Sequence, residues 1–369
     1  MKIALLGDIA PFGRYCLHKD KKLLAHFDKV KNYLSSFDIV VGNLEAPFVI
    51  NERPIGGKSA TVSAHPDNIE LLKYIGLTHL NLANNHIGDF GIQGYERTIA
   101  LLEDNGLDWF GVNEKHVYIN TNGEKIALLG FCSYNTNPSP IKSYTNKGLN
   151  YLDASNVHQK MKENSNRGYF NILAIHSGQE HVHMPSSEDV KFANLLANDF
   201  NYVYYGHHPH VIQGYENIKH SAIFYSLGNF IFDDVYTPRD PHKPLITLSE
   251  ANKTGLIGEV EIKEGVLVNT NATRVYMGLD RMLVGDEVSL EDQAGYNAYL
   301  SNAGSSNYNE KRQTAISEYI NKRREMRNLK WFLNRLNFNS VGILLKARKN
   351  SKLYHKHFVS KISSLEASK

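Results

Sequence analysis

Five short apolar runs in this chain each end on a side chain that can ligate metal. Asp8 closes Lys2–Asp8, Glu45 closes Ile39–Glu45, and Asn85 and His86 follow Leu80–Asn84. His176 closes Asn171–His176, and His208 and His210 follow Asn201–Gly206. Runs of this length and content read as buried strands. In an open α/β sheet the carboxyl ends of parallel strands line one crevice, where ligands bind. Carboxylate, amide oxygen and imidazole together suit Mn, Fe or Zn. The pattern therefore predicts an α/β protein with a hydrolytic metal centre.

Length and composition narrow the class. The chain has 369 residues, 42% hydrophobic and 21% charged, enough apolar content for a sizeable core. Its two cysteines, Cys16 and Cys132, form no CxxC pair, which argues against a disulfide framework and a cysteine zinc site. Met1-Lys2 leads straight into the first strand, too short for a signal-peptide apolar core, and no run approaches a membrane span. The expectation is a cytoplasmic protein.

Charge divides the chain. Residues 311–361 hold 14 Lys/Arg against Glu318 and Glu325, whereas residues 1–310 hold 26 basic and 35 acidic side chains, a net −9. An acidic body thus carries a basic tail, a statement about partners rather than fold. Lys322, Arg323, Arg324, Arg327, Lys330 and Arg335 accompany Trp331 and Phe332. Three readings stay open for that tail: docking on the acidic body, peripheral contact with an anionic membrane through 311–361, or binding of an anionic polymer. No nucleic-acid partner is expected, because the body is acidic and carries no nucleic-acid motif.

Strand and helix signals alternate over about the first 235 residues. Helical spacing appears at Leu23–Leu34, Asp67–Ile75, Tyr95–Asn105 and Glu188–Asp199. Strand signals lie at Ile126–Phe131, Ile172–Ile175, Tyr202–Tyr205 and Ala222–Ser226. Later, Pro244–Leu248 and Thr254–Ile262 read as strands, with Val266–Met277 as a hairpin partner across Lys263-Glu264-Gly265. Consecutive β segments here suggest a second sheet on the first. Asn302–Asn309 reads as loop, and Lys311–Leu336 as a basic helix. The division expected is 1–278 catalytic domain, 279–310 polar linker and 311–369 basic, mainly helical region.

The motifs carry unequal weight. Gly7-Asp8 alone reads equally as a turn. A carboxylate just beyond a wholly apolar strand, such as Glu45, is costly unless paired or metal-bound. In Ala83–Asp89 the Asn85 oxygen can ligate metal while His86 stays free to donate a proton and Asp89 fixes its tautomer. His208 and His210, two apart, share a side if that stretch is extended, with His207 opposite. His181 and His183 read as bystanders or substrate contacts. Tyr225–Phe230, including Asn229, reads as pocket floor or plain turn.

Together, Gly7-Asp8, Asn43–Glu45, Ala83–Gly91, His176–Glu180, Gly206–Val211 and Tyr225–Phe230 resemble the CapA family of poly-γ-glutamate capsule synthesis, a branch of the calcineurin-like metallophosphatases. The resemblance covers roughly residues 1–275. It implies a four-layer α/β/β/α sandwich with a basic helical C-terminal extension and two divalent metals, Mn, Fe or Zn. Asp8, Glu45 and His210 would hold one metal; Glu45, Asn85, His176 and His208 would hold the other. His86 would be the general acid, oriented by Asp89. Asn43, Asn84, Glu180, His207 and Asn229 would contact substrate or support the ligands. Two positions depart from the family: Ala10 replaces the usual histidine after the first aspartate, and Ser177 replaces a tryptophan. The first metal would then be weakly held or absent, so that of the two expected ions one could be the only firmly bound one. The implied activity is hydrolysis, by default of a phosphoester in an anionic polymer or small molecule, within surface-polymer biosynthesis. The alternatives are a γ-glutamyl hydrolase or ligase and a non-catalytic scaffolding subunit. Fold alone does not choose among them.

Overall fold

The computed structural model describes residues 1–56, 58, 60–141, 148–237, 242–285, 293–300, 302–325 and 338–367. The first half runs β1 (Lys2–Ile9), α1 (Asp28–Leu34), β2 (Ile39–Leu44), α2 (Ile69–Tyr74), β3 (His79–Asn81), α3 (Gly91–Asp104), β4 (Asp108–Phe110), β5 (Val117–Thr121) and β6 (Glu124–Cys132). It continues with α4 (Ala154–Asn166), β7 (Phe170–His176), α5 (Ser187–Asp199), β8 (Tyr202–His207), β9 (Tyr215–Ile218), β10 (Ser221–Phe224) and β11 (Asn229–Ile231). Then come α6 (Glu250–Lys253), β12 (Thr254–Lys263), β13 (Val266–Met277), β14 (Met282–Val284), α7 (Gln293–Leu300), α8 (Ser306–Glu325), α9 (Phe338–Tyr354) and α10 (Ser360–Ala367).

Two sheets pack face to face. One has the order β14-β13-β12-β1-β2-β3-β4, with β11 also paired to β1; the other has the order β5-β6-β7-β8-β10-β9. Ile3, Leu5 and Val41 of the first sheet meet Leu128, Ile172, Val203 and Phe224 of the second in one apolar layer. The outer face of the first sheet packs on α1, α2 and α3 through Val30, Leu71, Leu72 and Leu102. The outer face of the second packs on α4, α5 and α10 through Val157, Phe192, Leu196 and Ile362. The result is the four-layer α/β/β/α sandwich. Strands β1 and β7 are buried on both faces, which is why they read as near-continuous apolar runs.

Parallel pairing brings the ligand-bearing ends together. In β1, Asp8 is in register with Asn43 of β2 and Asn229 of β11. In β7, His176 is in register with His207 of β8. Sheet contact at these ends is close: a Cβ on Gly7 would overlap the Gly228 carbonyl, and one on Gly206 the Tyr225 carbonyl. Only glycine lets the backbones approach this way.

Several expectations change. The β12–β13 hairpin forms with Lys263 opposite Val266, but β12 pairs antiparallel with β1. It therefore extends the first sheet by satisfying that strand's open edge, and the second sheet comes from 117–224. Pro244–Leu248 contributes one isolated bridge, Val235 to Ile246, rather than a strand. Of the polar stretch 279–310, residues 286–292 and 301 lie outside the described residues. The rest includes β14, α7 and the start of α8, so the helix begins at Ser306, within the expected loop. The part of the basic helix bearing Arg327, Lys330, Trp331, Phe332 and Arg335 also lies outside them.

Described parts of the tail dock on the body. Arg312 Nε donates to the Met184 carbonyl at 3.1 Å, and Phe358 packs edge-on to Phe192 at 5.1 Å. Among the described residues, no helix is long and apolar enough to cross a membrane.

Candidate metal centre

Glu45 is the centre of the cluster. It follows β2, is fully buried, and neither carboxylate oxygen has a hydrogen-bond partner among the described residues. Donor atoms of Glu45, His208 and His210 lie within 4.8 Å of one another, as do those of Asp8, Glu45 and His176. Glu45 is common to both sets, as expected, but the grouping joins His208 to His210 and Asp8 to His176, where the resemblance implied Asp8 with His210 and His176 with His208. Its Oε1 is 3.5 Å from His176 Nε2 and 3.7 Å from His210 Nε2. Asn85 Oδ1 lies 3.0 Å from the same His176 nitrogen. His208 Nδ1 is likewise buried without a partner. An unsatisfied buried carboxylate and imidazole carry a large desolvation cost, which a divalent cation would offset. The donor set fits such an ion.

Charges in the cluster are strongly coupled. Burial and the Asp8 charge hold Glu45 well above the usual carboxylate range. Burial also opposes ionisation of Asp8, but contacts to His207 and His210 outweigh it and hold Asp8 well below that range. Burial lowers His176 far below the usual imidazole value, and His208 to about 3. Both are neutral and ready to ligate. Burial would lower His210 too, yet Glu45 and Asp8 raise it to about 10.

Supporting side chains hold the donors. Asn43 Nδ2 donates to Asp8 Oδ1 at 2.8 Å, and its own oxygen accepts from Asn81 Nδ2 at 2.9 Å. Asn229 Oδ1 meets His210 Nδ1 at 2.9 Å. Asn84 points away from the cluster: its oxygen caps the His86 and Ile87 amides and its Nδ2 donates to the Leu44 carbonyl.

The histidine pair reaches the centre by a route other than an extended strand. His208 and His210 have φ of 94° and 56°, so the chain curls after β8 and returns both rings toward Glu45. His207, expected to point away, is instead buried with Nδ1 3.3 Å from Asp8 Oδ1. It follows the same strand alternation as Tyr205, whose ring it meets edge-on at 4.6 Å. That side faces the space between the sheets.

His86 stands beside the cluster. Its Nδ1 lies 2.5 Å from Asp89 Oδ2, so the carboxylate fixes the tautomer and leaves Nε2 to exchange a proton with a ligand. Asp89 Oδ1 accepts from Ser139 Oγ at 2.7 Å and pairs with Lys58 Nζ at 3.1 Å. Lys58 also donates to the Asn85 carbonyl at 2.5 Å. Burial and the Lys58 charge lower His86, against the pull of Asp89.

These groups open onto a cleft of about 150 Å³. Lys58, Asn85, His86, Glu180, His181 and His210 form its polar side, and Val62, Phe232, Leu248 and Ile343 are among its apolar side. Glu180 therefore lies at the rim, where Tyr319 donates to it at 3.4 Å. His181 lines the cleft, whereas His183 bonds the Ile212 carbonyl at 2.8 Å and is not among the lining residues. Ala10 is buried with its amide on the Ile231 carbonyl. Ser177 donates to Asp189 at 3.1 Å and so joins the start of α5 to the site wall.

Sequence reasoning missed Lys58, Ser139, Phe232 and Ile343. Lys58 lies in a glycine-rich loop with no periodicity, Ser139 and Ile343 are remote in sequence from any ligand motif, and Phe232, just past Tyr225–Phe230, reads as one more apolar strand residue.

The profile of the family described as "Bacterial capsule synthesis protein PGA_cap" matches residues 2–234. The "Capsule biosynthesis protein CapA" of Bacillus anthracis is 32% identical over 226 residues, covering 57% of this chain and 54% of that protein. The "PGA biosynthesis protein CapA" of Bacillus subtilis (strain 168) is 29% identical over 247 residues, 64% of each chain. The matched region thus spans between half and two thirds of these relatives' length. The NAD nucleotidase NadN of Haemophilus influenzae aligns with 88% of this chain and 60% of its own at 13% identity, TM-score 0.43. With the profile spanning more than half of it, the chain belongs to the bacterial capsule synthesis protein PGA_cap family.

Proposed function

We propose that this protein is a metal-dependent hydrolase of phosphoesters that acts in capsule or surface-polymer biosynthesis. The observation that carries the reading is the His86–Asp89 pair beside a carboxylate shared by two donor sets. Holding metal does not require that pair; moving a proton does. Asp8, Glu45, His176, His208, His210 and Asn85 would hold two divalent ions. The chemistry such ions supply is Lewis-acid polarisation of a phosphoryl oxygen and activation of water.

The residues divide the remaining work. His86, held by Asp89, exchanges a proton with the leaving oxygen through Nε2. Asn43 keeps Asp8 oriented, and Asn229 does the same for His210. The apolar wall at Val62, Phe232 and Leu248 limits water in the cleft. The capsule role is supported by the names of the two Bacillus relatives. A second reading, a scaffolding subunit with a structural metal site, is favoured by Ala10, where a further ligand is missing.

The test is hydrolysis of p-nitrophenyl phosphate and bis-p-nitrophenyl phosphate with Mn²⁺, Zn²⁺ or Fe²⁺ added. Turnover that drops by about 10²–10⁴ in His86→Ala supports the hydrolase. Bound metal with no turnover of either ester in wild type would favour the scaffold.

A further inference from the structure

Helix α9 closes one side of the cleft, and it lies beyond residue 234, where the family match ends. Ile343 lines the cleft. Asn350 Nδ2 donates to Asn137 Oδ1 at 3.0 Å, and Asn137 lines the cleft too. Lys346 sits between them on the same face, at the i+3 position from Ile343. It is half-buried, and it has no ion pair or hydrogen bond among the described residues. Burial and the charge of Lys58 pull its ammonium down to about 8, with Asp89 opposing.

An ammonium drawn out of water beside a second lysine is unfavourable without a counter-charge. Lys58 is already committed to Asp89 and the Asn85 carbonyl. Lys346 is therefore the cation left over for a ligand. The charges of Lys58 and Asp89, the groups that hold His86, act on Lys346, and Ile343, one turn before it, lines the cleft, so the leaving-group side of the proposed reaction is the side it faces. Resting on the hydrolase reading, we propose that the substrate's leaving group carries its own anionic group and that Lys346 binds it. The shared chemistry is an oxyanion, either carboxylate or phosphate. The C-terminal helix then sets specificity for a reaction whose chemistry resides in the family-matched region.

The test uses full-length protein, wild type, Lys346→Gln and Lys346→Arg. Three substrates are compared with metal present: p-nitrophenyl phosphate, whose leaving group lacks a fixed anionic group; phosphoglycolate, whose leaving group carries a carboxylate; and pyrophosphate, whose leaving group is phosphate. We expect Lys346→Gln to raise KM about tenfold for phosphoglycolate, pyrophosphate or both. Turnover of p-nitrophenyl phosphate should be unchanged, and Lys346→Arg should keep most of the affinity. Which of the two anionic substrates responds identifies the oxyanion. Calorimetric titration of glycolate and inorganic phosphate into the same proteins gives a readout that needs no turnover. If wild type hydrolyses nothing, the hydrolase reading fails; a tenfold loss of anion binding in Lys346→Gln would still support the lysine's role. Unchanged KM and binding in Lys346→Gln, or equal losses on all three substrates, would overturn the proposal.

Discussion

Lys58 and Asp89 form a buried ion pair at 3.1 Å, and Asp89 carries His86 on its other oxygen. One carboxylate thus couples a lysine from a loop to His86, the histidine proposed to transfer the proton. Lys58 lowers His86, second only to burial. Removing its charge in Lys58→Met should raise the His86 pKa. A rate limb governed by His86 would then move to higher pH. A pH–kcat profile checks this; an unmoved limb would separate Lys58 from the histidine.

Metal binding should release protons. In the metal-free protein Asp8 and Glu45 raise His210 to about 10, so its ring is protonated at neutral pH. A ligating imidazole must be neutral. Affinity should therefore increase as pH rises from 6 toward 9. Calorimetry in two buffers of different ionisation enthalpy should report about one or more protons released at pH 7. Identical heats in the two buffers would count against His210 as a ligand.

Asn43 orients Asp8 through a 2.8 Å hydrogen bond and is itself held by Asn81. Asn43→Leu keeps the volume and removes the donor. Metal affinity should fall about 10–100-fold, the usual effect of losing a partner behind a ligand. Competition with a metal-sensitive dye measures it. The fold should survive, as judged by circular dichroism.

Phe358 anchors the C-terminal helices. Its ring is almost fully buried against Phe192. Phe358→Ala should cost about 3–5 kcal/mol of local docking energy. Limited proteolysis should then cut near α9 faster, and activity on anionic leaving groups should weaken with it. An unchanged cleavage rate would mean that α9 is held by other contacts.

Much of the centre was legible because strand ends are the places where burial forces a polar side chain to have a purpose. Asp8, Glu45, His176, His208 and His210 all lie there and all converge. The approach of the His208–His210 turn was not legible, since left-handed backbone at a histidine leaves no periodic trace. Nor was the position of His207 beside Asp8, since an extended stretch through His208 and His210 would turn it away from them. Helix α4 was missed although Ala154, Val157, Met161 and Asn164 keep helical spacing, because polar residues dominate the rest of it. Strands β4 and β5 are short, three and five residues. The β12–β13 hairpin was read correctly as local structure but assigned to the wrong sheet, because the choice of edge is a long-range event. Lys58 reaches the cleft from a loop, and Ile343 and the helix that carries Lys346 come to it from the far end of the chain. Only tertiary packing brings them together.

The most direct measurement is metal content by mass spectrometry on protein purified without chelators, for wild type, His86→Ala and Glu45→Ala, with Mn²⁺-stimulated turnover of p-nitrophenyl phosphate and its bis ester on each. One to two bound metals in wild type and the same content in His86→Ala, turnover only in wild type, and loss of bound metal in Glu45→Ala are the predicted results. Metal near zero in wild type, or turnover that persists in His86→Ala, would contradict the account.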